Sequence, residues 1–468
     1  MTCIEPERIR PLNSRKTAAG RYVLYWMQAS QRVSHNPALE HAIARANELR
    51  LPLVVGFGLM DDYPEANLRH YAFMVDGLRD VRRDLAARGI QLIVRRGPPP
   101  DVALELGAAA ALIVCDTGYL RHQRAWRRRV GSAAPQRVEG VEGDVVVPIA
   151  LVSDHAEFAA RTLRPKLLRL WERFLAPLKP TDLERPSIRL RLPLSSDLDV
   201  RHPARVLAAL RLDASVGPVR RLRGGSSEAH SHLQEFLDER LAGYAEARGA
   251  PDQPAPSLLS PYLHFGQVSP VAVALAVREA GVANGADRRA LLEQLVVRRE
   301  LAVNFVRYQP VYDRYAGVPE WARKSLHEHA RDPREHIYSR AQLVAAKTHD
   351  RHFNAAMLEM VHTGYMNNSL RMYWGKKILE WSSSPESAFR TALWLNNRYF
   401  LDGRDPNSYA GVSWCFGAHD RPWQERPIFG KVRFMNDRGL ERKFDMHDYQ
   451  ARVDALVRAE RQDISDGR

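Results

Sequence analysis

Residues 51–97 read LPLVVGFGLMDDYPEANLRHYAFMVDGLRDVRRDLAARGIQLIVRRG, and the hydrophobic period changes twice within them. LPLVVGFGL is a short apolar run, the pattern of a strand buried on both faces. From Asn67 to Arg88 the period becomes helical: Tyr71, Met74, Val75, Leu78, Val81 and Leu85 recur at three- and four-residue steps, with arginines and aspartates between them. Gly89 follows as a C-cap. IQLIVRRG then returns to a strand. Strand, amphipathic helix and strand in this order make a βαβ unit, in which the two strands run parallel.

The alternation extends to both sides of this unit. RYVLYWMQ at 21–28, NPALEHAIARANELR at 36–50, DVALELGAA at 101–109 and AALIVCDTGY at 110–119 continue it. Residues 1–180 are therefore expected to form an α/β domain, a doubly wound parallel sheet of Rossmann-like type. Gly56 and Gly58 are expected to follow a strand, as in a dinucleotide fingerprint, but Asp61 stands where the third glycine is required. A nicotinamide site is not expected.

Residues 181–228 are rich in proline, arginine and glycine and end in RGGSSEAH, the composition of an extended connection. Residues 229–468 then carry almost wholly helical patterns, such as SHLQEFLDERLAGYAEA and RRALLEQLVVRRELAVNFVRY. A long linker thus joins the α/β domain to an all-α domain.

Composition narrows the function. Basic residues number 69 against 55 acidic, a net charge of +14, and the pI is near 9.8. Such an excess favours polyanions, nucleic acid first. The run RHQRAWRRRV at 121–130 is either part of that footprint or a solvated helix face. No apolar run approaches the roughly 20 residues that span a bilayer, and the first residues lack a secretory signal, so a cytosolic protein is expected. Cys3, Cys115 and Cys415 are odd in number and widely separated, which suggests neither disulfides nor a zinc site. His349 and His352 have helical spacing without a ligand set to complete them, and no metal is expected.

Residues 366–414, MNNSLRMYWGKKILEWSSSPESAFRTALWLNNRYFLDGRDPNSYAGVSW, hold four of the nine tryptophans beside Asn367, Asn368, Arg371, Asp402 and Asn407. Rings and amides in such density either converge on a planar ligand or form an aromatic core under a polar loop.

Several segments decide between these readings: YWMQASQRVSHNPAL from Tyr25, LRHYAFMVDGL from Leu68, LSPYLHFGQVSP at 259–270, VVRREL ending at Leu301, RMYWGKKILEW at 371–381, DGRDPNSY at 402–409 and ERPIFGKVRFM at 425–435. In these segments, spread over nearly the whole chain, the sequence resembles the photolyase/cryptochrome flavoproteins, most closely the class II cyclobutane pyrimidine dimer photolyases. The resemblance implies FAD in the helical domain and light-driven electron transfer to a dimer flipped out of UV-damaged DNA, by a monomeric carbon–carbon lyase. It implies that Ser257, Ser260 and the amides near Leu259 bind the flavin diphosphate, with Tyr244 beside them. Arg371, Asp402 and Asp405 are implied at the flavin, with Asn407, or else Asn396, at its N5. Asn368, Met372, Trp414 and Arg298 are implied at the lesion. Lys431, Arg433, Arg442 and Lys443 either meet phosphates or are solvated surface charges. A second, antenna chromophore, often a deazaflavin, is also implied, although no residue in the sequence identifies its site. The resemblance leaves open a cryptochrome-like photoreceptor, or a flavin-free DNA-binding protein on the same scaffold.

Two departures stand out. Where the resemblance implies a glutamate that hydrogen-bonds the dimer, the chain has Gln294, preceded by Glu293. On an α-helix adjacent residues are about 100° apart, so one of the two is expected in the pocket and the other outside it. The implied electron relay contains Trp374 and Trp381, but its third ring is Phe353, which is much harder to oxidise than tryptophan.

Overall fold

The computed structural model describes residues 4–192, 195–253, 257–281 and 284–465. Six strands form one sheet: β1 (Ile9–Pro11), β2 (Tyr22–Trp26), β3 (Leu53–Leu59), β4 (Gln91–Arg96), β5 (Ala110–Asp116) and β6 (Val138–Val141). Their order is β1-β6-β5-β2-β3-β4, with every pairing parallel except that of β1 with β6. All residues of β2, β3 and β5 are buried, as expected of parallel strands covered on both faces. The doubly wound α/β domain is therefore present. Gly56 and Gly58 lie inside β3 rather than after it. A Cβ on Gly56 would sit 2.6 Å from Leu106 Cδ1, and one on Gly58 would sit 2.7 Å from Pro99 Cα. These glycines let helix Pro99–Gly107 approach the sheet.

Helix Leu68–Ala87 begins after Asn67 and ends at Gly89, whose φ of +72° suits glycine. Its first turn reaches the helical domain. The buried Arg69 guanidinium donates to the carbonyls of Tyr399 (2.6 Å) and Met360 (3.3 Å). The Asn67 N–H donates to His70 Nδ1 at 3.2 Å, and burial holds this imidazole neutral. The proton therefore lies on Nε2, which donates to the Phe400 carbonyl at 3.0 Å.

The packing crosses the expected domain limits. Val146, Val147, Leu163, Leu167 and Phe174 bury against Phe236, Tyr262 and Val296 of the helical part. Within the stretch read as a linker, helix Pro203–Ala208 forms, and Leu198, Val200, Val206 and Leu210 cover the apolar face of the α/β layer. Beyond it the described chain is helical. Cys115 and Cys415 are buried free thiols, and Cys3 lies outside the described residues. Among the described residues no helix is long and apolar enough to cross a membrane.

Candidate functional site

Helices Asn368–Glu380, Pro385–Tyr399 and Pro406–Cys415 start at side chains that accept hydrogen bonds from their first-turn amides: Asn367, Ser384 and Asp405. These caps set the phase of each helix. Asn368, Arg371 and Met372 then share one face by their three- and four-residue spacing, as do Asn407, Ala410, Gly411 and Trp414. The two faces, with Asn396 between them, line a cleft of about 550 Å³ closed by Gln294, Arg298, Leu301 and Ala302. That volume lies within the range of small-molecule and cofactor sites. Trp374 forms part of the wall and is buried, and its indole N–H donates to Met357 Sδ at 3.0 Å.

The cleft is strongly basic: Arg248, Arg298, Arg371 and Arg433 line it, and among the described residues Glu293 is its one acid. Arg371 donates from Nη2 to both Asp402 oxygens at 3.0 and 3.1 Å and from Nε to the Met366 carbonyl at 3.1 Å, with its guanidinium 3.8 Å from the Phe400 ring centroid. Asp402 does not line the cleft; it fixes the arginine that does. Asp405 also lies outside the lining. It caps its helix and accepts from Asn407 Nδ2 at 2.8 Å. Burial opposes its ionisation, but His264 Nδ1 at 3.3 Å and neighbouring charge outweigh burial and hold the carboxyl below the usual aspartate value. Asn407 is exposed, whereas Asn396 is buried and donates from Nδ2 to Asn397 Oδ1 at 3.1 Å.

Ser257, Leu259, Ser260 and Tyr244 stand outside the cleft lining. Leu258 has φ +52°, the Leu259 N–H points at Ser257 Oγ at 3.5 Å, and Ser260 opens the short helix Ser260–His264. Tyr244 is buried edge-on against Phe236. Trp381 is buried with its ring 5.0 Å from the fully buried Phe353 and 5.3 Å from Tyr338. Of the basic residues expected at phosphates, Arg433 reaches the cleft, with Nε 3.2 Å from Asp420 Oδ2, whereas Arg442 and Lys443 are exposed elsewhere.

One expectation is corrected. Residues Glu293–Arg298 form a π-helical turn, not an α-helical one, and both Glu293 and Gln294 line the cleft. The wider turn advances fewer degrees per residue and brings residues i and i+5 together, so Glu293 Oε1 lies 3.2 Å from Arg298 Nε. Arg164 pairs with the same carboxylate at 2.7 and 2.9 Å. Burial works against the charge on Glu293, but the two arginines prevail and hold its carboxyl below the ordinary glutamate value. Gln294 has no side-chain hydrogen bond among the described residues. Arg248, Arg164 and His419 escaped sequence reasoning because each enters from a distant segment without a local motif.

A smaller chamber of about 100 Å³ lies at the carboxyl ends of β2 and β3, where the strand order reverses beside β5. Tyr63, Trp126 and Phe265 wall it, and the side chains of Gln28 and Gln31 keep buried polar atoms without partners there.

Fold and cleft together define a two-domain scaffold: a mostly parallel α/β layer docked on a helical domain that carries a basic, aromatic-walled cleft. Residues 23–186 match the family described as DNA photolyase. A protein of Methanothermobacter thermautotrophicus called deoxyribodipyrimidine photo-lyase is 48% identical over 97% of this chain and 99% of its own. Proteins of the same name from Oryza sativa subsp. japonica and Potorous tridactylus are 40% and 38% identical, over 96% and 92% of this chain and 91% and 81% of theirs. The fold is shared with a class III photolyase of Agrobacterium tumefaciens (TM-score 0.71, 19% identity, 94% and 87% covered) and a Synechocystis cryptochrome (TM-score 0.66, 16% identity, 93% and 88% covered). The chain belongs to the DNA photolyase family.

Proposed function

We propose that this protein is a class II photolyase that splits cyclobutane pyrimidine dimers in DNA by light-driven electron transfer, with FAD held in the 550 Å³ cleft. The observation that carries this reading is convergence. One cavity gathers Arg371, Asn396 and Trp374, the groups suited to a flavin, with Asn368, Met372, Gln294 and Trp414, the groups suited to an extruded base pair step. When bound, FAD supplies the light absorption and the electron.

The residues supply position and charge. Arg371, fixed by Asp402, places a permanent positive charge that favours an anionic ligand. Asn396 suits the flavin N5 better than Asn407 does, because it is buried while Asn407 is exposed and tied to Asp405. The turn at Ser257–Ser260 and Tyr244 are assigned to the diphosphate by the family resemblance alone. Trp414 offers a stacking face worth about 1–3 kcal/mol per base regardless of sequence. Gln294 donates an amide N–H to a dimer carbonyl, whereas Glu293 is held as a carboxylate and can only accept. Extrusion is cheapest at a damaged, poorly stacked step, which gives lesion preference.

The chamber at Gln28 and Gln31 suits an antenna chromophore, since the unpartnered Gln28 amide, the open Gln31 Oε1 and the flanking rings match a flat heterocycle. At about 100 Å³ it accepts a three-ring ligand only after its side chains move.

Illumination of the chemically reduced protein with a dimer-containing oligonucleotide tests the repair reading. Dimers should disappear in light and persist in darkness. A yellow protein that leaves dimers intact would favour the photoreceptor alternative, and a colourless one would refute flavin binding.

A further inference from the structure

The DNA-facing cleft contains one carboxylate, Glu293, among four arginines. A negative charge opposes a polyanion, and the flavin-side contacts do not use it. The backbone is also arranged around it: an α-helix would not bring Glu293 to Arg298, and the π-helical turn does. Arg164, from helix Ala160–Leu168, grips the same carboxylate with a two-pronged fork. Among the described residues Glu293 holds Arg298 by Nε alone, and the terminal nitrogens make no hydrogen bond. Its guanidinium carbon lies 5.3 Å from the Trp414 ring centroid. Arg298, Trp414 and His419 line both the cleft and an adjoining surface groove of about 440 Å³, where Arg161, Arg164 and Arg421 also stand. The Arg298–Trp414 pair is therefore the partition between them.

We propose that Glu293 is a positioning residue that sets lesion selectivity, by keeping Arg298 over Trp414 until an extruded base takes its place on the ring. The inference rests on the repair reading above. Over intact duplex, nothing replaces Arg298 on the ring, so its charge is withheld from phosphates. When a dimer stacks on Trp414, Arg298 swings about its Nε contact to a flanking phosphate. A phosphate contact is thus made available only to DNA that yields a flipped base, which acts against undamaged DNA.

The test is binding of the flavin-loaded protein to matched duplexes with and without one dimer, across a salt series. In Glu293→Gln, affinity for undamaged duplex should rise at least five-fold and that for dimer duplex less than two-fold. The salt slope on undamaged DNA should steepen by about one phosphate contact. Adding Arg298→Gln should return undamaged binding to the wild-type level. Retained flavin absorbance checks the fold. If Glu293→Gln loses flavin, Arg164→Gln tests the same carboxylate: Arg298 then has Glu293 to itself, and undamaged affinity should not rise. A rise there, or equal gains on both duplexes in Glu293→Gln, overturns the inference alone. A wild-type protein without dimer preference overturns the repair reading as well.

Discussion

Gln294 meets the cleft with an amide where the family resemblance implies a carboxyl group. An amide donates a hydrogen bond but transfers no proton, and Glu293 beside it is committed to two arginines. Gln294→Glu, in its protonated form, can both donate to the dimer and share that proton with its radical anion, and is therefore expected to raise the quantum yield of dimer splitting. An unchanged yield at saturating substrate would sink this assignment. Phe353 is the second such residue. It packs edge-on against Trp381, so Phe353→Trp would insert an oxidisable ring next to the outer tryptophan. Light-driven reduction of oxidised flavin should quicken by about ten-fold or more, the effect of removing some 1.4 kcal/mol of barrier. The site has no spare volume, and overpacking should cost about 1–3 kcal/mol, visible as a lower Tm. Failure to speed photoreduction while the fold survives would refute a relay through this position. The single residues of the site were legible where a stretch carries the family resemblance, as that of Asn368, Arg371 and Met372 does. Arg164 and His419 were not, because nothing local marks them.

Helices carry the site through their starting caps. Asp350 accepts from the amides of His352 and Phe353 at 2.9 Å each, starting helix Arg351–Thr363, and its other oxygen receives the Tyr373 hydroxyl. The cap thus ties the helix of Phe353 to the helix of Arg371 and Trp374. Burial and this carboxylate push the Tyr373 phenol well up, so it stays a donor. Asp350→Ala should cost about 1–3 kcal/mol, the loss of a cap plus an orphaned buried hydroxyl. A Tm unchanged by this substitution would show that the cap is idle. Helical periods and the Gly89 cap are local signals and were readable in the sequence. The π-helical turn was not, because the apolar run LEQLVVRREL fits a three-four or a wider spacing equally well, and ion pairs with Arg164 and Arg298 accompany the choice of the wider one.

At the scale of the whole molecule, the two domains are joined by buried polar contacts. Glu300, on helix Arg299–Tyr308, accepts the Val146 N–H from the segment after β6. Burial pushes its carboxyl up to about 8, against the opposing pull of the Val146 amide and Arg299. The unfolded chain ionises near the ordinary glutamate value, so the folded form binds the extra proton between that value and about 8. The stability this proton confers is full below the ordinary value and is lost as pH rises through about 8. Glu300→Gln keeps the acceptor and removes the titration. Its Tm should exceed that of wild type by about 2–8 °C at pH 8.5 and converge toward it near pH 5. Equal melting curves at both pH values would contradict a protonated Glu300.

The sequence by itself determined the alternation of strand and helix, the helical periods and the Gly89 cap. All of these rest on spacing within a few residues and on local hydrogen bonding. The tertiary structure decided that Asn396 is buried and Asn407 exposed, that the stretch at 198–210 packs on the sheet, and that Glu293 and Gln294 share one cleft. The partner that holds Glu293 lies 129 residues earlier in the chain. Contacts of that span depend on how whole helices pack, and no periodicity in the chain encodes them.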